Sequence, residues 1–186
     1  MNFTIYNTDN AHGESKPLLK AAKDSFGFVP NLLGEFAEAP AVLEGYLKLN
    51  EIVGKTSFSS KEQQLAILAV SIENECHYCS AIHSTILKNQ LNADKEIVDA
   101  VRNGESVPHE KYNALVTYVR TVVKKRGVID DSEIESFIDA GYTKQNLLEV
   151  NLIAALKTIS NYTNHIANTP LDEAFEAEKI KFSILV

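Results

Sequence analysis

The stretch from Ser60 to Glu73 leaves this chain few options, because Leu65, Ile67, Leu68, Ala69, Val70 and Ile72 crowd it with apolar side chains on most sides of a helix. A helix with so little polar face has to be wrapped by other elements, so this one is expected at the centre of the fold. Ser59 or Ser60 is placed to cap its start. Asn74 is expected to cap a fresh helical segment, since a single helix from Ser60 to Gln90 would be unusually long.

The remaining segments also read as helices. Lys16 to Phe26 has Pro17 in its first turn and Gly27 at its end; Asn31 to Phe36 and Ala41 to Val53 follow, parted by Glu38-Ala39-Pro40. Asn92 to Asn103, His109 to Arg126, a short helix opened by Asp130-Asp131-Ser132 and running through Ala140, and Asn146 to Asn168 behind Thr143 complete the series. Tyr112, Leu115, Val116, Val119 and Val123 keep helical spacing and are expected in the core. Period-two alternation occurs only within Met1–Tyr6, so the expected fold class is all-α. No linker or low-complexity stretch divides the chain, and a single domain over residues 1–186 is expected.

The chain has only two cysteines, and they stand three apart in Cys76-His77-Tyr78-Cys79, with His83 four residues beyond the second. Side chains three and four apart share a helix face, so Cys76, Cys79 and His83 are expected to converge. An imidazole one turn from Cys79 can take its proton or hold the thiolate, which is the form that attacks a peroxide or a disulfide. A second thiol nearby can trap the resulting sulfenic acid before further oxidation makes the loss irreversible. A first-turn position for Cys76 would add the helix dipole to its ionisation.

Composition narrows the setting of this chemistry. With 45% apolar and 23% charged residues the chain reads as an ordinary globular protein, and a net charge of -7 without a long basic cluster argues against nucleic acid. No apolar run approaches the roughly 20 residues that cross a bilayer, and the first residues lack a secretory pattern, so a cytoplasmic location and no membrane partner are expected. In a reducing compartment paired cysteines point to catalysis or metal binding rather than to a structural disulfide. Zinc held by Cys76, Cys79 and either His77 or His83 is the metal alternative, but it lacks a fourth ligand; no metal and no organic cofactor are predicted.

The block Lys61-Glu62-Gln63-Gln64-Leu65-Ala66-Ile67-Leu68-Ala69-Val70, leading into Cys76, Cys79 and His83, resembles the alkylhydroperoxidase D-like family, which is grouped with the carboxymuconolactone decarboxylases. The peroxidase-related branch of that family also shows segments similar to Gly27-Phe28-Val29-Pro30-Asn31 and to Asn164 through Asp172. The resemblance implies a compact multi-helix subunit in a homo-oligomer, a trimer or hexamer. It implies a thiol peroxidase acting on organic hydroperoxides or hydrogen peroxide, with a thiol or lipoyl-type reductant. Cys79 would be the peroxidatic residue, Cys76 its resolving partner and His83 part of a proton relay.

The family relay also uses a glutamate twelve residues before the first cysteine, and here that position is Gln64, which takes no proton at neutral pH. Glu62, Glu73 and Glu75 are the nearby carboxylates. Tyr78 stands where some relatives carry histidine and can still donate a hydrogen bond. A redox sensor, a zinc-binding assembly and a lactone decarboxylase are the other functional readings. His165 among Asn161, Asn164 and Asn168 is expected to be a hydrogen-bonded structural residue. Phe26, Phe28, Phe36, Tyr46 and Tyr162 are expected in the core or above the thiols, and Asp172 through Glu178 on a solvated helix face.

Overall fold

The computed structural model describes residues 3–182, and the described residues contain helices and no strand. In chain order they are α1 (Ser15–Phe26), α2 (Asn31–Phe36), α3 (Pro40–Val53), α4 (Ser60–Glu73), α5 (His77–Thr85), α6 (Lys95–Arg102), α7 (Glu110–Lys125), α8 (Asp131–Asp139) and α9 (Lys144–Ala167). A π-helical turn, Ile86–Gln90, prolongs α5, and a 3₁₀ turn, Glu173–Glu178, follows α9. No described helix is long and apolar enough to cross a membrane.

The apolar helix α4 is the hub. Leu65 through Ile72 are buried without a break, and α5, α6, α7 and α9 pack around them. Ser59 begins the helix through a capping box, its hydroxyl accepting from the Glu62 N–H while the Glu62 carboxylate accepts from the Ser59 N–H. Thr143 caps α9 in the same manner with Asn146. Glycine is required at two points. Gly27 ends α1 with φ +81°, and at Gly34 a β-carbon would lie 2.6 Å from the Tyr6 carbonyl oxygen, where the N-terminal segment crosses α2.

Two apolar clusters result. One joins α4, α6, α7, α8 and the first half of α9; the other gathers Leu19, Leu32, Leu33, Phe36 and Leu43 around Cys76, Tyr78 and Cys79. The segment Thr169 to Glu178 lies across α5 as a strap. Asp172 accepts hydrogen bonds from Tyr78 Oη at 2.6 Å and from the Asn31 N–H, Thr169 Oγ1 donates to buried Glu35, and Glu178 pairs with Lys88 and Arg102.

Several sequence expectations are corrected here. The acidic terminal stretch is tied down at Asp172 and Glu178 rather than solvated along its length. His165 is exposed and makes no side-chain hydrogen bond among the described residues, although Asn161 and Asn164 near it are buried, and Tyr162 is 54% exposed rather than packed. Phe26 is also more than half exposed rather than in the core, and stands instead above the thiols, as the other half of that expectation had it. The alternation at the chain start forms no strand among the described residues; Tyr6 makes one backbone hydrogen bond, to Gly34, and Met1 and Asn2 lie outside the described residues.

Candidate active site

The break between α4 and α5 falls where expected, but its cap does not. Asn74 closes α4, Glu75 turns the chain with φ +52°, and Cys76 is the N-cap of α5, its sulfur accepting from the Cys79 N–H at 3.5 Å. Cys79 therefore lies in the first turn of α5, and the positive end of the helix acts on both sulfurs. Both cysteines are free and buried, 0% and 2% exposed.

From α9, Asn164 reaches both sulfurs with one amide group, Nδ2 lying 3.4 Å from Cys76 Sγ and 3.3 Å from Cys79 Sγ. Ser160 Oγ is 3.7 Å from Cys79 Sγ. The two cysteines titrate as a pair that keeps one proton. Burial pushes the Cys79 thiol up, but the hydrogen bond from the Cys76 thiol and the charge of Lys157 outweigh it and lower its pKa to about 5. Cys76, which gives its proton to the Cys79 sulfur and is itself buried, is pushed strongly upward. Cys79 is thus the thiolate and Cys76 the thiol.

The cation in this pair is Lys157, 1% exposed in the middle of α9. Its Nζ lies 3.0 Å from His83 Nε2, while His83 Nδ1 lies 2.8 Å from Gln64 Oε1. The amide oxygen only accepts, so Nδ1 carries the proton and Nε2 offers its lone pair to the ammonium. Burial and the neighbouring Lys157 charge hold His83 well below the ordinary imidazole range, so the ring is neutral. Burial lowers the Lys157 pKa, yet the Cys79 thiolate and the Tyr46 and Cys76 groups together hold it raised.

The expected convergence of three side chains is met in part. Cys76 and Cys79 meet directly, but His83 makes no hydrogen bond to either sulfur among the described residues; both of its ring nitrogens are taken, and Lys157 bridges it to Cys79. Helical spacing put His83 on the right face, and a neighbouring helix supplied the group that fills the gap. Gln64 occupies the place expected for the relay group, though as a neutral hydrogen-bond acceptor. Glu62 belongs to the α4 cap and Lys111, Glu73 to Arg120 and Lys124, and Glu75 is exposed. Tyr78 is fully buried, accepting from the Leu32 N–H and donating to Asp172; burial and the Asp172 charge push its phenol strongly upward. His77 bonds the Thr169 carbonyl instead.

Lys157, Ser160, Asn164 and Asp172 were missed. The signal available was on α9, where Val150, Ile153 and Leu156 predict a buried face that Lys157, Ser160 and Asn164 continue with polar side chains.

A cavity of about 210 Å³ opens above Cys79. Its floor is Cys79, His83, Gln64 and Lys157, and its walls are mostly apolar: Phe26, Leu32, Leu33, Tyr46, Leu47, Ile82, Ile86 and Phe175. Cys76 does not line it. The arrangement presents one ionised sulfur to a small apolar chamber, with a protonated thiol behind it. Among the described residues no group of three or more His, Cys, Asp or Glu side chains forms a metal cage.

Comparison with known proteins agrees with this architecture. Residues 40–120 match the model of the carboxymuconolactone decarboxylase family. The whole fold superposes on the alkylhydroperoxidase AhpD core of an uncharacterised peroxidase-related protein from Ralstonia eutropha JMP134, with a TM-score of 0.82, 18% identity, and coverage of 94% of this chain and 93% of that one. A peroxidase-related protein from Silicibacter sp. TM1040 gives 0.79, 16%, 90% and 89%. A cysteine-to-alanine variant of the debrominase Bmp8, in complex with 2,3,4-tribromopyrrole, gives 0.78, 15%, 96% and 96%. No curated protein sequence matches the chain. The chain thus carries a stretch, residues 40–120, similar to the carboxymuconolactone decarboxylase family, within a fold like that of the alkylhydroperoxidase core.

Proposed function

We propose that the protein is a two-cysteine thiol peroxidase that reduces hydroperoxides. The observation that carries this reading is the placement of Cys79 at the floor of an apolar cavity beside Lys157, with Cys76 behind it at the N-cap of the same helix and one Asn164 amide reaching both sulfurs. Cys79 Sγ attacks the terminal peroxide oxygen, the O–O bond breaks as the S–O bond forms, and the alkyl-bearing oxygen leaves. Cys76 Sγ then attacks the Cys79 sulfenic acid, forming the disulfide and releasing water. The sulfur pair has lost two electrons and the peroxide has gained them. An external dithiol, of thioredoxin or lipoyl type, returns them.

Intact-protein mass spectrometry tests the reading. One equivalent of an alkyl hydroperoxide should remove a pair of hydrogens from the reduced chain, and Cys76→Ser should instead retain one oxygen on Cys79. An unchanged mass in the native chain would overturn it.

Reductive dehalogenation is a second reading, supported by the fold shared with a debrominase. The same two thiols would supply the electrons that convert a carbon–halogen bond of a small ring to carbon–hydrogen, releasing halide. Halide release from a bromopyrrole, without disulfide formation on hydroperoxide, would favour it over the first.

A further inference from the structure

The peroxide reaction leaves one proton unassigned, that of the departing oxygen. An alkoxide formed inside an apolar chamber is a poor leaving group, and the acid that serves it must be within reach of Cys79. His83 is neutral and its one proton is committed to Gln64. Tyr78 gives its proton to Asp172 and Cys76 gives its own to the sulfur of Cys79.

We propose that Lys157 is the acid of the reaction: it holds the Cys79 thiolate at rest and passes its proton to the alkoxide as the O–O bond breaks. The proposal rests on the peroxidase reading and adds a catalytic residue to it. Its basis is the placement of a fully buried ammonium whose surroundings, among the described residues, contain a single anion. Facing Lys157 are Cys76, Cys79 and His83 from α5 and its cap, Tyr46 from α3 and neutral Gln64 from α4. No carboxylate pairs with Lys157 among the described residues, whereas the other largely buried cations, Lys88, Arg102 and Arg120, each pair with at least one.

This arrangement times the proton transfer. While Cys79 is a thiolate, the ammonium is neutralised and keeps its proton. Attack on the peroxide moves the negative charge from sulfur to the departing oxygen, and a buried ammonium facing a sulfenic acid has lost that counter-charge. Proton transfer to the alkoxide removes both charges at once and yields the alcohol and a neutral amine. The amine next takes the Cys76 thiol proton and delivers it to the hydroxide leaving Cys79, so the disulfide forms with release of water. Reduction by an external dithiol returns two electrons and two protons, one to Lys157 and one to Cys76, with Cys79 again a thiolate. A carboxylate in place of Gln64 would hold the proton back, so glutamine at this position belongs to the device.

Lys157→Arg and Lys157→Met separate the two roles, because guanidinium keeps its charge but does not release a proton. Three readouts are needed on the reduced chain: thiolate ultraviolet absorbance against pH, the rate with an alkyl hydroperoxide, and the rate with iodoacetamide, whose departing iodide needs no proton. The arginine variant should keep the thiolate and alkylate within about threefold of the native rate, while its hydroperoxide rate falls on the order of 10²–10⁴-fold, the usual worth of a positioned acid. The methionine variant should protonate Cys79 at neutral pH and slow both reactions.

An arginine variant as fast as native toward hydroperoxide would overturn proton donation, and this variant decides the matter even where methionine fails to fold. A methionine variant with an unshifted thiol titration would overturn the hold on the thiolate. A native chain that titrates as described yet is inert to hydroperoxide would instead overturn the peroxidase reading, and proton donation with it.

Discussion

The two halves of α9 are equally buried and chemically opposite. Val150, Ile153 and Leu156 enter the apolar cluster around α4; one turn later Lys157, Ser160, Asn161 and Asn164 are 0–1% exposed and entirely polar. The first half stabilises by removing carbon from water. The second accepts the cost of buried polar atoms, and two of them, Asn161 Nδ2 and Asn164 Oδ1, have no hydrogen-bond partner among the described residues. Such a cost is borne where the groups act on something, and for Ser160 and Asn164 that is the sulfur pair. One helix thus serves as a core element at one end and as the wall of a reactive site at the other.

Substitutions in the two halves should therefore separate stability from sulfur chemistry. The largest effect is expected in the apolar half: Ile153→Ala should cost about 2–5 kcal/mol in denaturant unfolding while leaving the Cys79 titration in place. A thiol titration that moved with it would mean the two halves are coupled.

The pH dependence sharpens the contrast from the other side. The folded-state pKa of Cys79, about 5, lies below its ordinary value of 9.0, so the stability it contributes is fully present above pH 9 and is lost as pH falls toward 5. The reduced chain should lose denaturation midpoint across that window relative to Cys79→Ser, and parallel curves for the two would contradict an ionised sulfur.

The smallest stability change is expected at Asn164→Leu. It removes an unpartnered acceptor together with the amide donor, so unfolding should shift by no more than about 1 kcal/mol. The Cys79 pKa should nevertheless rise by about one pH unit, because the thiolate loses a donor. An unmoved titration would show that Asn164 only fills space.

Most helices were legible in the sequence because their signals are local. Ser59 and Thr143 carry capping boxes, Gly27 marks a C-terminus, and the apolar periodicities of α4 and α7 need nothing beyond their own residues. The misplaced cap before α5 has an equally local cause. Asn74 is the better capping residue type, but Cys76 takes the position because the turn at Glu75 delivers its sulfur to the Cys79 N–H. The π-helical turn at Ile86–Gln90 left no mark in the residue pattern and went unforeseen.

Chain order alone determined that the fold is helical, that an apolar helix forms its hub, and that two thiols stand on one turn with His83 behind them. What binds His83 and what ionises Cys79 were decided by contacts between residues 64 and 83 and between 79 and 157, far apart along the chain. Spacing within a helix fixes which side chains share a face, but a charge is set by whatever another helix presses against that face in the absence of water. Lys157 would be an ordinary solvated lysine on an isolated α9; only burial against α5, with no carboxylate beside it among the described residues, makes it the counter-ion of a thiolate.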